Sequence, residues 1–406
     1  MNQYHDTLRE VVVTGVGVVS PYGRGRQAYW QGLSEGSCAI DTLRLFSTEG
    51  FRSRIGAEIS EETIRSLGPA HRSRADRLVI GAAEEAVCQA RLSPEMLAGA
   101  AVSIGGAGGG MLETETWYWH RYEKRENRRV RTALRATLPA MQTETIARRF
   151  HLGGPRETPI LACSSSAAAI AMIADLIAVG VVDVGLAGGV DTLTRLCFMG
   201  FNALKLLDTR PCRPFAQDRR GMSLGEGAAV LVLEARQHAE SRGVPGQACV
   251  AGCGLTSDAF HATAPAPDAE GAVRAMGEAL RRARLTPADI GYVNAHGTGT
   301  MQNDRAEAVA MERVFGAGKV LVSSTKSLIG HTMGAAGAME AVATLMAMGC
   351  GVLPPTANLV HPDPTIPFDC IPHVPRPSDV DCAMSNSFGF GGQNVSLIFR
   401  RPDVRG

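Results

Sequence analysis

Three residues of this chain carry side chains suited to nucleophilic chemistry and lie in segments rich in small residues. Cys163 stands in PILACSSS, directly before a run of small apolar residues. His296 stands in NAHGTGT and His331 in SLIGHTMGAAGA. A thiolate can attack an electrophilic carbon and hold it covalently, while imidazoles can move protons or donate hydrogen bonds to developing charge. If the fold brings these three residues together, they predict covalent catalysis through a cysteine.

The surroundings of Cys163 favour a reactive thiol. The apolar residues 159–162 predict a strand that ends at Ala162, so that Cys163 would occupy a sharp turn at the N-terminus of the following helix. The unpaired N–H groups and the macrodipole of that helix would lower the pKa of the thiol and could donate to an oxyanion. From this segment alone, a small buried cysteine that only packs is the alternative.

The two histidines are predicted to lie at matching junctions. His296 follows a short apolar stretch and is flanked by Gly297 and Gly299, where a ligand can approach the backbone closely. His331 precedes a second small-residue helix, the counterpart of the helix after Cys163. The same three residues could ligate zinc, but they lack the close paired spacing of ordinary zinc sites, so no metal is predicted.

A polar network is predicted behind the histidines. Lys326 lies in the apolar stretch VLVSSTKSLIG, so it is expected to be buried and to need a carboxylate partner. Glu307 is the candidate partner; a surface position for Lys326 is the alternative. The glycine run 105–110 lacks the GxGxxG spacing, so it does not predict dinucleotide binding.

The elements around these residues occur twice along the chain. Both halves show a helix end with a Ser/Thr-Pro stop, a strand with a glycine-rich turn, a small-residue helix and a closing apolar strand. These four elements are, in the first half, 85–94, 100–110, 164–180 and 225–234, and, in the second, 278–287, 290–300, 334–349 and 389–399. The repeat predicts two α/β halves, residues 1–245 and 246–406, that pack together.

The predicted strands are covered by helices on both sides. Residues 11–19, 100–104 and 184–189 are apolar on both faces, as in sheets buried between helices. Residues 167–174 are apolar around the whole helix, so this helix should lie between two sheets. The sequence therefore predicts an α/β protein with α-β-α-β-α layers, whose site lies at strand ends where the halves meet.

Composition narrows the classes of function. The 406 residues carry a formal net charge of +1, with 45% hydrophobic and 20% charged residues, which favours neither nucleic acid nor an anionic membrane as a partner. The ten cysteines show no disulfide framework, and residues 1–15 show no signal-peptide pattern. The apolar stretch 167–182 is interrupted by Asp175. We therefore expect a cytoplasmic protein with reduced thiols and no membrane span.

The stretch 121–135 is strongly basic, with seven basic and two acidic residues. It could form a solvated helix face with local ion pairs, or it could dock an acidic partner through Arg128 and Arg129.

Five ordered motifs resemble one family, the elongating β-ketoacyl-acyl-carrier-protein synthases of fatty-acid and polyketide assembly. They are ACSSS (162–166), CRPFAQDRRGMSLGEGA (212–228), NAHGTGTMQND (294–304), STKSLIGHTMGAAGA (323–337) and SNSFGFGG (385–392). The resemblance covers about residues 9 to 400. It implies a thiolase-like fold and a decarboxylative Claisen condensation of a cysteine-bound acyl chain with a malonyl thioester.

The resemblance also implies roles for individual residues. Cys163 would take the acyl chain, His296 and His331 would assist decarboxylation and stabilise the enolate, and Lys326 with Glu307 would support them. The remaining implied assignments are oxyanion binding and gating by Phe390 between Gly389 and Gly391, hydrogen bonds from Thr298 and Thr300 to the phosphopantetheine arm, and substrate binding by Gly108, Phe201 and Phe388. The protein itself would need no cofactor, because the acyl carrier protein supplies the 4′-phosphopantetheine.

Two departures from the family pattern concern the acyl substrate and the partner subunit. Gly108 stands where the fatty-acid enzyme has a bulky aliphatic residue, so longer, stiffer or branched chains are expected to fit, as in polyketide or polyene assembly. Residues 117–150 also depart from the usual pattern. The family implies a dimer, with an identical subunit or a ketosynthase-like paralogue, and Trp117, Tyr118 and Trp119 would suit the interface.

Three relatives of these synthases with other roles are the alternatives. A non-catalytic chain-length factor would lack the cysteine, which argues against it. A degradative thiolase would carry another cysteine where this chain reads GFGGQN. A chain-initiating synthase would have asparagine in place of His331.

Overall fold

Strands occur throughout the computed structural model, which describes residues 8–69, 72–123 and 134–404. They are β1 (Val11–Ser20), β2 (Gly23–Arg24), β3 (Asp41–Thr42), β4 (Ile55–Ala57), β5 (Ala101–Gly105), β6 (Arg156–Glu157), β7 (Val184–Asp191), β8 (Leu224–Gly225), β9 (Gly227–Ala235), β10 (Ala248–Ser257), β11 (Tyr292–Asn294), β12 (Leu321–Ser323), β13 (Val352–Leu353), β14 (Arg376–Pro377), β15 (Cys382–Gly389) and β16 (Gln393–Arg400).

The helices alternate with these strands along the chain. They are α1 (Arg26–Ser34), α2 (Glu61–Ser66), α3 (Arg74–Ala90), α4 (Pro94–Leu97), α5 (Met111–Tyr122), α6 (Met141–Phe150), α7 (Ser165–Ala178), α8 (Arg195–Ala203), α9 (Arg236–Ser241), α10 (Glu270–Ala283), α11 (Met301–Phe315), α12 (Lys326–Ile329) and α13 (Ala336–Cys350). Short 3₁₀ turns precede α7 and α13, at Ala162–Ser164 and Met333–Ala335.

The main sheet repeats one strand order twice. The first half contributes β6-β5-β7-β9-β1, and the second contributes β12-β11-β15-β16-β10 in the same spatial sequence. Antiparallel pairing of β1 with β10 joins the two sets into one continuous sheet. This repeat is what a duplicated half predicts, although the boundary at residue 245 stays a prediction.

Helices cover each set of strands on both sides, which confirms the predicted α/β class and layering. α7 and α13 lie between the two sets, in one apolar cluster that includes residues of β1, β9, β15 and β16. α3 and α6 pack on the outer face of the first set, and α10 and α11 on that of the second. Each half therefore buries its central helix against the other half.

One helical stretch, Met333–Cys350, is long and apolar enough to cross a membrane by length and composition. Within this stretch, 83% of the apolar window is buried inside the protein. The core helix of a soluble protein passes the same test, so this helix is weak evidence for a membrane span.

The strand predicted to end at Ala162 is wrong. The strand in this region is β6, at Arg156–Glu157, and residues 158–161 have no regular secondary structure. The residues before Cys163 form a tight turn instead, in which the Leu161 N–H donates to Ser165 Oγ and the Ser164 hydroxyl donates to the Leu161 carbonyl.

Candidate active site

Cys163 lies in the middle of the 3₁₀ turn that leads into α7. Ala162 has φ of 49°, an uncommon conformation for a residue with a side chain, and this sharp bend sets Cys163 at the start of the helix. The N–H of Cys163 makes no hydrogen bond within the described parts of the chain. It is therefore available to a ligand oxygen beside the thiol.

The predicted low pKa of Cys163 is wrong. Burial of the thiol raises its pKa to about 12, and Asp191 and Glu340 add to that rise. The charge of Lys326 and the N–H of Phe390 act in the opposite direction. Desolvation of the anion thus outweighs these two stabilising contacts, and the resting residue is a neutral thiol.

His331 lies in the second half, just before the 3₁₀ turn that leads into α13. Its Nδ1 accepts a hydrogen bond from the N–H of Met333, so the ring proton is on Nε2 when the ring is neutral. This Nε2 has no partner among the described residues, although His331 is buried. The ring can therefore donate to a bound substrate.

His296 lies just beyond the end of β11 and packs edge to face against His331, with ring centroids 5.3 Å apart. Its Nδ1 lies 3.3 Å from Nζ of Lys326, an ammonium donor, so Nε2 carries the proton here too. Burial and the Lys326 charge lower the pKa of both histidines well below the usual value. Two neutral rings thus offer N–H donors side by side.

Lys326 is buried as predicted, but its predicted partner is wrong. Its Nζ forms an ion pair with Glu340 on α13, a residue that the sequence analysis missed. Glu307 instead accepts the N–H groups of His296 and Gly297, each at 2.7 Å, and so fixes the backbone that carries His296. Glu340 is the lone charged residue in an apolar helix, and that isolation was the available signal.

An aromatic group lies beside the thiol. Phe390 follows β15, and its ring centroid is 5.9 Å from that of Phe201 on α8. Phe388 contacts His296, with centroids 5.8 Å apart. Gly389 packs closely under Cys163, because a Cβ there would lie 2.6 Å from the Leu161 carbonyl oxygen and 3.3 Å from the Cys163 nitrogen.

Most of the predicted site residues face one cavity of about 70 Å³. Its lining includes Cys163, Phe201, His296, Thr298, Thr300, His331, Phe388, Gly389 and Phe390. The Thr298 and Thr300 hydroxyls lie 2.9 Å apart. Lys326 and Glu307 support the histidines, but Gly391 is outside this lining, and its N–H donates to the Ala262 carbonyl.

Gly108 lines a different cavity, of about 210 Å³, on the side of the glycine run at 105–109. A Cβ at Gly108 would lie 3.3 Å from Oδ1 of Asp191, a buried carboxylate that the sequence analysis also missed. Arg128 and Arg129 lie outside the described residues, so docking through them stays a prediction. Among the described residues, no group of three or more His, Cys, Asp or Glu side chains could hold a metal ion.

Two family descriptions match the chain along most of its length. Residues 8–239 match "Beta-ketoacyl synthase, N-terminal domain", and residues 247–360 match "Beta-ketoacyl synthase, C-terminal domain". A 3-oxoacyl-[acyl-carrier-protein] synthase 2 of Rhizobium meliloti (strain 1021) is 39% identical, covering 97% of this chain and 99% of that protein. Nodulation protein E of the same strain is 40% identical, with the same coverage.

Solved structures show the same similarity. The ishigamide ketosynthase/chain length factor superposes with a TM-score of 0.92 at 32% identity, covering 97% of this chain and 99% of that one. The type II polyketide ketosynthase AntDE, solved with its acyl-carrier protein AntF, gives a TM-score of 0.88 at 26% identity, covering 97% and 100%.

Proposed function

Since this chain belongs to the beta-ketoacyl synthase family, we propose that Cys163, His296 and His331 together carry out its condensation reaction. The protein is an acyltransferase of the beta-ketoacyl-acyl-carrier-protein synthase type. The observation that carries the assignment of residues is their geometry: one thiol and two neutral imidazoles line a single cavity, and Nε2 of His331 is unpaired.

The first step is transfer of the acyl chain to the enzyme. The sulfur of Cys163 attacks the thioester carbon, the bond from that carbon to the carrier sulfur breaks, and the proton lost by Cys163 leaves on the carrier thiol. The N–H groups of Cys163 and Phe390 lie beside the thiol and would stabilise the oxyanion. Since burial opposes thiolate formation, the oxyanion donors matter more here than prior ionisation.

The second step joins the malonyl unit. The bond to the malonyl carboxylate breaks, carbon dioxide leaves, and the electron pair forms an enolate whose oxygen accepts from Nε2 of His296 and of His331. The enolate carbon then attacks the acyl carbon, Cys163 leaves as a thiolate, and the thiolate takes a proton from solvent. Because both rings are neutral, they stabilise the enolate without a charge of their own, and each such donor contributes on the order of 100-fold or more in rate.

Lys326 keeps His296 in its donor tautomer and keeps both rings neutral. Its ammonium faces Nδ1 of His296, and its positive charge makes protonation of either ring less favourable. The ion pair with Glu340 holds the ammonium in place. We assign Lys326 and Glu340 as positioning residues, and Glu307 as the support for the His296 backbone.

The carrier protein would deliver its 4′-phosphopantetheine past Thr298 and Thr300. An open cavity of about 440 Å³ adjoins Thr300 on the outside and is lined by two exposed basic residues, Lys205 and Arg220. Acyl carrier protein is the expected partner, since the similar polyketide ketosynthase was solved with one. Basic residues at this mouth suit an acidic carrier, and the reaction needs no further cofactor.

A second subunit is the other expected partner. Ile160, which follows the short edge strand β6, is exposed, and so are Tyr118 and Trp119 on α5, so these apolar side chains are available to a partner. The ishigamide relative carries a chain length factor, so we propose either a homodimer or a pair with a ketosynthase-like paralogue. Native mass spectrometry of the purified chain distinguishes a homodimer from a monomer that awaits its partner.

The acyl substrate follows from the glycine run. With no side chain at Gly108, we propose that the chain on Cys163 extends towards the second cavity, which suits long or stiff chains of fatty-acid-like, polyketide or polyene assembly in the cytoplasm.

The deciding experiment is intact-mass spectrometry after mixing the protein with acyl carrier proteins that bear chains of graded length. We expect a mass gain of one acyl group, absent from Cys163→Ala, and product formation only when malonyl-carrier protein is added. If no chain is loaded, even in the presence of a candidate partner subunit, the catalytic assignment is wrong and a chain-length-factor role becomes the better explanation.

A further inference from the structure

Asp191 is a buried carboxylate that the condensation chemistry above does not use. It ends β7 and is 0% exposed. Its oxygens accept four backbone N–H groups, from Ala107 at 2.9 Å, Gly108 at 2.6 Å, Gly109 at 3.3 Å and Gly334 at 2.6 Å. The carboxylate therefore ties the glycine run of the first half to the start of α13 in the second.

The glycine run that Asp191 holds is almost bare backbone. Gly105 lies against the start of α7, since a Cβ there would come within 2.6 Å of the Ser165 and Ser166 backbone. Beyond it, residues 106–109 line the 210 Å³ cavity, and their one side-chain carbon is Cβ of Ala107. The run thus forms a wall between the helix start that carries Cys163 and this second cavity.

A wall of this composition has little stiffness of its own. Glycine leaves the backbone conformation weakly restricted, and no packed side chain holds residues 106, 108 and 109 in place. Three hydrogen bonds to Asp191, from the N–H groups of Ala107, Gly108 and Gly109, supply that restriction. Among the described residues, no Lys, Arg or His forms an ion pair with Asp191, so its interactions are directed at this backbone.

We propose that Asp191 is a positioning residue that fixes the wall at 106–109 and thereby sets which acyl chains on Cys163 can reach the second cavity. The inference rests on the proposed function, because it assumes that Cys163 carries the chain. Loosening the wall favours longer or bulkier chains over short chains that never touch the wall. Asp191 is thus a determinant of chain length that contacts no reacting atom.

The test compares two substitutions of buried aspartates. Asp191→Asn keeps the shape of the side chain but turns an acceptor oxygen into an NH₂ group that faces backbone N–H groups. Asp304→Asn is the matched control, because Asp304 is also buried and also accepts backbone N–H groups, those of Phe215 and Gly299, but lies behind Thr298 and Thr300 rather than at the wall. kcat/KM for Cys163 acylation is measured for short, medium and long acyl carriers.

We expect Asp191→Asn to change the ratio of long-chain to short-chain kcat/KM by about tenfold or more, in favour of long chains. Asp304→Asn should lower kcat/KM for acyl chains of every length by a common factor. If Asp191→Asn also changes kcat/KM by the same factor for every chain length, Asp191 has only a structural role and the proposal is wrong. Wild-type protein that accepts no chain at all would instead contradict the proposed function, so the two failures are distinguishable.

A second variant covers the case in which Asp191→Asn does not fold. Gly334→Ala places a Cβ 2.7 Å from Oδ2 of Asp191 and 2.6 Å from the Gly106 carbonyl carbon, so it pushes on the same contact from the turn before α13. The same shift towards long chains is expected, with folding checked by circular dichroism. If folded Gly334→Ala shows the wild-type ratio of long-chain to short-chain kcat/KM, the segment 106–109 does not set chain length.

Discussion

The two turns that lead into α7 and α13 have the same backbone geometry but differ in what their N–H groups bind. Each is a 3₁₀ turn whose first residue, Ala162 or Met333, has φ of 49°, and each leads into a small-residue helix at the centre of the molecule. Cys163 is the middle residue of the first turn, and Gly334 is the middle residue of the second. The N–H of Cys163 is open to the cavity, whereas that of Gly334 is bound by Asp191.

This difference shows how a duplicated fold gives one reaction centre instead of two. The backbone at both turns can bind an anion, but in the second half an internal carboxylate already occupies that position. The second half contributes a different group, since His331 lies three residues before Gly334, where the first half has Ile160 before Cys163. The reactive groups are divided between the halves, so the site exists only where they meet.

The largest expected effect comes from exchanging the two turns. In the double variant Cys163→Gly, Gly334→Cys, the thiol moves to the turn whose N–H is already bound, and its Cβ would lie within 2.7 Å of Gly106, Ala107 and Asp191. Condensation should fall by on the order of 10⁴-fold or more, as when a nucleophile is deleted. The measurement is product formation from acyl- and malonyl-carrier proteins.

The control for this exchange is Cys163→Gly alone, which should be equally inactive. Acylation of the thiol introduced by Gly334→Cys, in a folded double variant, would show that the two turns are equivalent. That result would refute the part assigned to Asp191 in closing the second turn.

The next effect concerns a charge that the two central helices do not share. Glu340 on α13 pairs with Lys326 on α12, and the matching position of α7 is Ala169. Lys326→Met leaves a carboxyl group buried without its cation, so the free energy of unfolding should drop by about 3–5 kcal/mol, measured by urea unfolding near neutral pH.

The double variant Lys326→Met, Glu340→Leu should recover most of that stability while activity stays low. As a matched control, Arg282→Met breaks the more exposed pair with Asp175 and should lower stability by less than about 1 kcal/mol. Equal losses from both single variants would mean that burial does not distinguish the two pairs.

The third effect tests whether a helix start alone activates a thiol. Because burial raises the pKa of Cys163 to about 12, its thiolate fraction should grow about tenfold per pH unit between pH 7 and 9. The rate of alkylation by iodoacetamide, followed at the peptide that contains Cys163, should grow in parallel. Lys326→Met removes a charge that lowers this pKa, so alkylation should become slower at each pH. A rate that levels off below pH 8 would instead mean an activated thiolate.

The smallest effect lies at the outer helices. Ser73 caps α3, because its hydroxyl oxygen accepts the N–H of Asp76, whereas α10 begins after Ala269 without a side-chain cap. Ser73→Ala should lower the free energy of unfolding by about 1 kcal/mol, and Ser73→Thr should restore most of it. Thermal unfolding of the three proteins is sufficient to compare them. If Ser73→Ala unfolds at the same temperature as the wild type, packing on the sheet alone stabilises this helix.

Sequence patterns were sufficient to predict the layered fold, because strands and helices leave local patterns of apolar residues and stop signals. Apolar strands, all-apolar central helices and helix stops recur in both halves, and β1, β7, α7 and α13 lie within a few residues of their predicted positions. The motifs also predicted most of the site residues that line the cavity.

The errors arose where tertiary contacts decide. Glu307 seemed the partner of Lys326 because it follows His296 closely in sequence, but the turn into α13 brings Glu340 closer. A helix start favours a thiolate by a local rule, but burial of Cys163 by the whole fold raises the pKa of its thiol. Asp191 gave no local signal, since its four partners come from segments more than eighty residues away.

The strand order of the second half also bears on how the chain is made. β15 and β16 are the last strands in sequence, yet they lie in the interior of the sheet, between β11 and β10. A nascent chain therefore cannot complete the second half until residue 400 has left the ribosome, and until then β10 and β11 expose unpaired edges. Premature termination even close to the C-terminus should yield an aggregation-prone product, and chaperone binding during synthesis would protect those edges.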